Sequence, residues 1–194
     1  DSDDYVNENY IENLYNLVTK YSVNMAVTLP IEFIEGTIPI SYTKKNAEKK
    51  LLKAEALVNM LTQKNFDNNA WAKIYHSSLF KNIRYPVGLI YEDVPTTYKL
   101  ILASNGVAFS SQKDYFYLLR KNSIEGSPFS DKKYESILWI INDFENAKNS
   151  HPEFSNAFNS RIFSLLLHVY FETNLNSDYD KKLYDLIKKY RIGV

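Results

Sequence analysis

In the last third of the chain, apolar residues recur at helical spacing in three successive stretches joined by short connections. Ser130 can cap the first stretch, with Phe129 and Tyr134 placed as a hydrophobic staple and Tyr134, Ile137, Leu138, Ile141 and Phe144 as its apolar face. Ser150-His151-Pro152-Glu153 has capping-box spacing ahead of the second, which carries the apolar run Ile162–Phe171. Ser177 caps the third, on Tyr179, Leu183, Leu186, Ile187 and Tyr190. Consecutive helices with short loops predict an antiparallel three-helix bundle, the middle helix most buried. Its apolar run is ten residues, about half of what a membrane span needs.

Upstream, the pattern changes. Ile11, Leu14, Tyr15, Val18 and Tyr21 predict a first helix, with Asp3, Asp4, Glu8 and Glu12 where the helix dipole favours negative charge. Residues 23–42 alternate on Val23, Met25, Val27 and Leu29 before Pro30, Gly36 and Pro39 interrupt, which suits short strands or an irregular loop rather than a helix. A second helix is expected from Thr43 on Ala47, Leu51, Ala54, Val58 and Leu61, and a third over Asn68–Asn82. Val87–Tyr91 and Tyr98–Ala103 read as strands, the latter meeting Val107–Phe109 in a hairpin across Ser104-Asn105-Gly106. Asp114–Lys121 reads as a strand or a short helix. The expected fold is therefore α+β and helix-rich: N-terminal helices, a small mainly antiparallel sheet within 23–42 and 86–110, and the C-terminal bundle, with residues 1–194 as one globular domain.

Composition removes several function classes. With no cysteine there is no thiol nucleophile, disulfide, Cys-type zinc site or iron–sulfur cluster. Gly36, Gly88, Gly106, Gly126 and Gly193 are too dispersed for a Walker or dinucleotide loop, and Gly-x-Ser-x-Gly is absent. The 23 basic and 23 acidic side chains cancel, which argues against nucleic acid as a partner even though Lys49-Lys50 and Lys188-Lys189 cluster locally. The cancellation is uneven: residues 1–35 carry seven acids against Lys20 alone, while residues 43–84 carry nine bases against Glu48, Glu55 and Asp67. Absent cysteine and a first residue other than Met lean towards an exported protein, periplasmic or secreted, of bacterial or phage origin.

Three constellations could carry chemistry. On the second C-terminal helix, Arg161, Ser164, His168 and Glu172 fall in one narrow stripe, and His168 and Glu172, four apart, can touch. A carboxylate beside an imidazole fixes its tautomer, as general bases and metal ligands require; the remaining metal ligands are missing, so no metal and no cofactor is expected. The acid pairs Glu32/Glu35 and Glu92/Asp93 have the side chains that a glycosidase uses for sugar hydrolysis, with solvated loop acids as the simpler reading. Tyr115-Phe116-Tyr117 cannot all face one interior, which makes Tyr115 and Tyr117 candidate binding residues in a chain with 16 tyrosines. With no catalytic signature complete, the sequence reads as a non-enzymatic protein-binding module, an interaction, inhibitor or immunity-type protein acting on a protein partner. The alternative is a small hydrolase or toxin-like enzyme using His168 as base, Glu172 to orient it, and Arg161 or Ser164 on substrate.

Overall fold

A computed structural model describes residues 3–39, 46–120, 128–173 and 177–191. In chain order they form β1 (Tyr5–Val6), α1 (Tyr10–Tyr21), β2 (Met25–Ile34), β3 (Glu48–Leu51), α2 (Lys53–Leu61), β4 (Lys73–Tyr75), α3 (Val94–Ala103), β5 (Val107–Leu119), α4 (Asp131–Ser150), α5 (Ser155–Tyr170) and α6 (Asp178–Tyr190). The helix-rich α+β reading holds at that level, with six α-helices and one mixed sheet among the described residues. Two compact units emerge, one from Asp1–Leu57, Asn68–Arg84 and Thr97–Ser127, the other from Val58–Asp67, Tyr85–Thr96 and Pro128–Val194.

The first unit is built on β5, which pairs with β2 in parallel and with β1 and β3 antiparallel; β4 completes the sheet along the other side of β2. The β2–β5 pairing is parallel and makes the sheet mixed, while the other three pairings are antiparallel, as the sequence leads one to expect of most of the sheet. The β2–β5 register shifts at Val27/Leu29 and Leu29/Pro30, an irregularity that accommodates a proline with no N–H to donate. Leu14 and Leu17 of α1 bury against Ala26, Ala108 and Tyr115 of the sheet.

Five local expectations fail. Tyr98–Ala103 belongs to α3, which begins Val94-Pro95, a proline in the first turn being compatible with a helix start. Val94, Thr96, Thr97, Tyr98, Leu100 and Ile101 are all buried, so the helix shows no apolar stripe and reads as a strand. Val87–Tyr91 is a succession of turns. Asn105-Gly106 is not a hairpin turn: Asn105 and Asn24 exchange backbone-to-side-chain hydrogen bonds at 3.0 and 3.1 Å, and Gly106, at φ +128, brings the chain to where a Cβ would meet Leu51 O at 3.0 Å. The helix expected from Thr43 starts only at Lys53, because residues 48–51 are drawn into β3 along β5; Thr43 itself lies outside the described residues. Asn68–Asn82 is interrupted by Ala72 at φ +54 and forms β4 and a 3₁₀ turn, Ser77–Phe80.

The second unit is helical. Ser130 Oγ accepts from Lys133 N–H and Ser177 Oγ from Asp180 N–H, as expected of caps. Ser150 instead ends α4, and a 3₁₀ turn at Pro152–Phe154 leads into α5. Phe144 and Phe158 meet with ring centroids 5.1 Å apart, and Ile137, Ile140, Ile162, Leu166 and Leu183 are fully buried with them. Among the described residues no helix is long and apolar enough to cross a membrane.

Candidate active site

The second unit contains a turn whose backbone is forced. Tyr91 sits at φ +63, a left-handed conformation that costs a non-glycine residue about 1–3 kcal/mol and persists only where the surroundings impose it. The supports are identifiable. Ile90 N–H donates to Ser136 Oγ of α4 at 3.0 Å, Val94 N–H to Tyr91 O at 3.1 Å, and Thr96 N–H to Asp93 O at 3.1 Å. Thr96 Oγ1 donates to Glu92 O at 2.6 Å. The turn delivers Glu92, exposed, and Asp93, half-buried, to the start of α3, where the helix dipole favours a negative charge.

Arg161 of α5 is buried in the same unit. Desolvation pulls the pKa of its guanidinium down, while the charges of Asp67 and Asp93 oppose that shift. A buried guanidinium is therefore held within electrostatic reach of both carboxylates. Burial also pushes the Tyr85 phenol above its ordinary range, and Asp93 and Glu92 push the same way. Asp93 thus stands among a phenol, a cation and a second acid, the mixture from which proton-transfer sites are made.

The stripe expected on α5 splits. Arg161 turns inward, Ser164 Oγ donates to Gln63 Oε1 at 2.9 Å, and only His168 and Glu172 meet, Nε2 to Oε1 at 3.2 Å. The other oxygen of Glu172 accepts from Lys133 Nζ at 2.6 Å, and the Lys133 side chain is 0% exposed. The His168 ring stands edge-to-face with Tyr91, centroids 6.5 Å apart at 81°. Ser164 and His168 have separate partners and do not form a nucleophile–base pair. Sequence reasoning missed Lys133 altogether, since a lysine in the first turn of a polar-looking helix reads as solvated; only the later Ser136-Ile137 and Ile140-Ile141 hint that this face turns inward.

Tyr115 and Tyr117 lie in the first unit, side by side on β5 under the Trp71 ring at 5.0 and 4.8 Å. Tyr115 is 6% exposed and its hydroxyl donates to Asp4 Oδ2 at 2.6 Å. Asp4 also accepts from Leu118 N–H at 2.9 Å, and Asp3 pairs with Arg120. Phe116 faces the other way and stacks on Tyr5. Alternation therefore separates the three rings as expected, but none of them is exposed. Glu32 lies in β2 and Glu35 in the turn after it. No group of three or more His, Asp or Glu side chains among the described residues is placed to hold a metal ion.

No protein-family model matches the chain. Over 132 residues, 64% of its length, it is 30% identical to the glycosyltransferase GlyA of Streptococcus pneumoniae serotype 4 (strain ATCC BAA-334 / TIGR4), of which the match spans 19%. Its fold is similar to that of S. aureus TarS 1-349 in complex with UDP-GlcNAc, with a TM-score of 0.61 and 18% identity over 100% of this chain and 56% of that one. TarS 1-349 alone gives a TM-score of 0.62 at 18% identity over 98% and 53%. The chain thus spans about a fifth of the curated relative and a little over half of the solved one. These likenesses correct the expectation of a non-enzymatic module acting on a protein partner, because the relative matched in sequence is an enzyme that transfers sugars.

Proposed function

We propose that this chain supplies part of a glycosyltransferase, moving a sugar from a nucleoside diphosphate donor to an acceptor hydroxyl, with Asp93 as the base. In that step the acceptor oxygen bonds to the anomeric carbon as the bond from that carbon to the diphosphate oxygen breaks. The hydroxyl proton passes to the Asp93 carboxylate, and the nucleoside diphosphate leaves with the bonding electrons. Arg161 gives Asp93 a buried counter-charge, and the hydrogen-bonded turn from Ile90 to Thr96 holds it in place. The acid pair Glu92/Asp93 then serves glycosidic-bond formation, with Asp93 as base and Glu92, exposed beside it, near the acceptor's entry.

The observation that carries this reading is the 30% identity to GlyA over 132 residues; the fold shared with a protein solved with UDP-GlcNAc supports the donor class. The C-terminal helices, read as an antiparallel three-helix bundle, form the scaffold of this site: α5 packs on both α4 and α6 and carries Arg161 and His168. The test is to incubate the intact protein with a panel of nucleotide sugars and sugar acceptors, following nucleoside diphosphate release and the acceptor's gain of one sugar mass. Asp93→Asn is expected to lower kcat by about 10²–10⁴-fold, the range for losing a general base, with donor affinity retained. A protein that binds and turns over no nucleotide sugar sinks the proposal.

A further inference from the structure

We propose that His168 and Glu172 are positioning residues for Asp93, clamped from behind by the buried Lys133; this deepens the glycosyltransferase reading and rests on it. Glu172 lies just past the end of α5, where a carboxylate could take many orientations. It takes one, because Lys133 Nζ meets its Oε2 at 2.6 Å inside the protein. Separating a buried ammonium from its counter-ion is costly, so Glu172 stays where Lys133 needs it. Its remaining oxygen faces His168 Nε2 at 3.2 Å and so sets the plane of the imidazole. That ring meets Tyr91 edge-to-face, the residue whose left-handed backbone starts the turn to Asp93.

The same face of α4 grips this turn a second time. Ser136 lies three residues beyond Lys133, one helical turn along, and its hydroxyl oxygen accepts the Ile90 N–H. Lys133 and Ser136 are both buried. One helix face therefore holds Ile90 directly and Tyr91 through Glu172 and His168, fixing two consecutive residues just ahead of Glu92-Asp93. A catalytic group displaced by about 1 Å can lose about 10²-fold in rate.

His168 is accessible enough for substitution without emptying the core. In the intact protein, His168→Ala is expected to lower kcat by about 10²-fold while leaving the KM for the nucleotide sugar and the thermal midpoint close to wild type. His168→Gln, which keeps an N–H donor for Glu172, recovers most of that loss, whereas His168→Phe, which keeps only a ring against Tyr91, does not. Hydrogen exchange supplies a readout independent of catalysis: the amides of Ile90, Val94 and Thr96 exchange faster in His168→Ala while those of α5 do not. An unchanged exchange pattern overturns the proposal, as does a change in KM alone or a loss of kcat that follows a loss of thermal stability. If the wild-type protein transfers no sugar at all, the glycosyltransferase reading fails, and exchange at those three amides still decides whether His168 braces the turn.

Discussion

Each of the two units holds a carboxylate between two side-chain donors, and the donors differ in kind. In the first unit Asp114, 4% exposed, accepts from the neutral amides of Asn7 and Asn13 at 3.0 and 2.8 Å, and its backbone oxygen accepts from Asn7 N–H at 2.9 Å. In the second Glu172 accepts from the ammonium of Lys133 and the imidazole of His168. Amide donors act alike at every pH and tie α1 and the segment before it to β5, which is scaffolding. The ammonium of Lys133 binds its carboxylate through charge, and the imidazole on the other oxygen leads to a strained turn beside Asp93. The comparison separates a network that holds the fold from one that also aims a side chain.

The widest gap between the two should appear when one donor is removed. Lys133→Met leaves the Glu172 carboxylate largely buried without its cation, and breaking a buried pair from one side costs about 3–5 kcal/mol. Urea denaturation is the measurement, with an unchanged m-value as evidence that the same transition is followed. The double variant Lys133→Met, Glu172→Leu should recover much of that loss, since replacing both charges with apolar groups removes the stranded ion. Recovery of stability without recovery of kcat separates the structural role of the pair from its aiming role. A Lys133→Met variant as stable as wild type would place the two networks on an equal footing.

Much of the helical architecture was legible because caps and periodicity are local. Ser130 and Ser177 sit at helix starts and accept the expected N–H groups, and the Met25–Leu29 alternation lies in β2. What escaped was non-local. Nothing within residues 48–51 says that β5 will recruit them as a strand, and α3 is buried on nearly every side, so its periodicity vanishes. The site suffered likewise. Arg161, Asp93 and Tyr91 each stood in view, but only the fold brings α5 to the turn 68 residues upstream of Arg161. The dispersed glycines exclude a Walker or dinucleotide loop and nothing wider, because other folds hold a nucleotide without such a loop.

A milder break is expected in the neutral network. Asp114→Asn keeps the shape of the side chain but turns one acceptor into a donor, opposing an N–H of Asn7 or Asn13 to another N–H. A buried donor left unsatisfied costs about 1–3 kcal/mol, so this variant should lie below Lys133→Met in effect and leave kcat at the wild-type value. Measured stabilities in the reverse order would mean that the amide network carries more of the fold than the buried charge pair does.

The smallest effect concerns tyrosines whose hydroxyls face acids in both units. Burial pushes the Tyr10 phenol up from 10.0 to about 12, against the pull of the Lys73 backbone and with Asp114 adding to the rise. Tyr115 is raised by burial and by its bond to Asp4, and Tyr190 by burial and its bond to Glu145 at 2.7 Å. A phenol whose folded pKa exceeds its unfolded one favours folding fully below the unfolded pKa, and that contribution is lost as pH rises through the folded value. For Tyr10 the window runs from about pH 10 to about 12. Tyr115→Phe should cost about 1 kcal/mol at neutral pH, the net worth of one hydrogen bond, because Asp4 keeps its bond to Leu118 N–H. Above pH 10 the gap between the variant and wild type should narrow, since only wild type still has that phenol to ionise beside Asp4. Stability measured against pH, with phenolate absorbance followed in parallel, tests both parts. A gap that widens in alkali would mean that Asp4 does not hold Tyr115 in its neutral form.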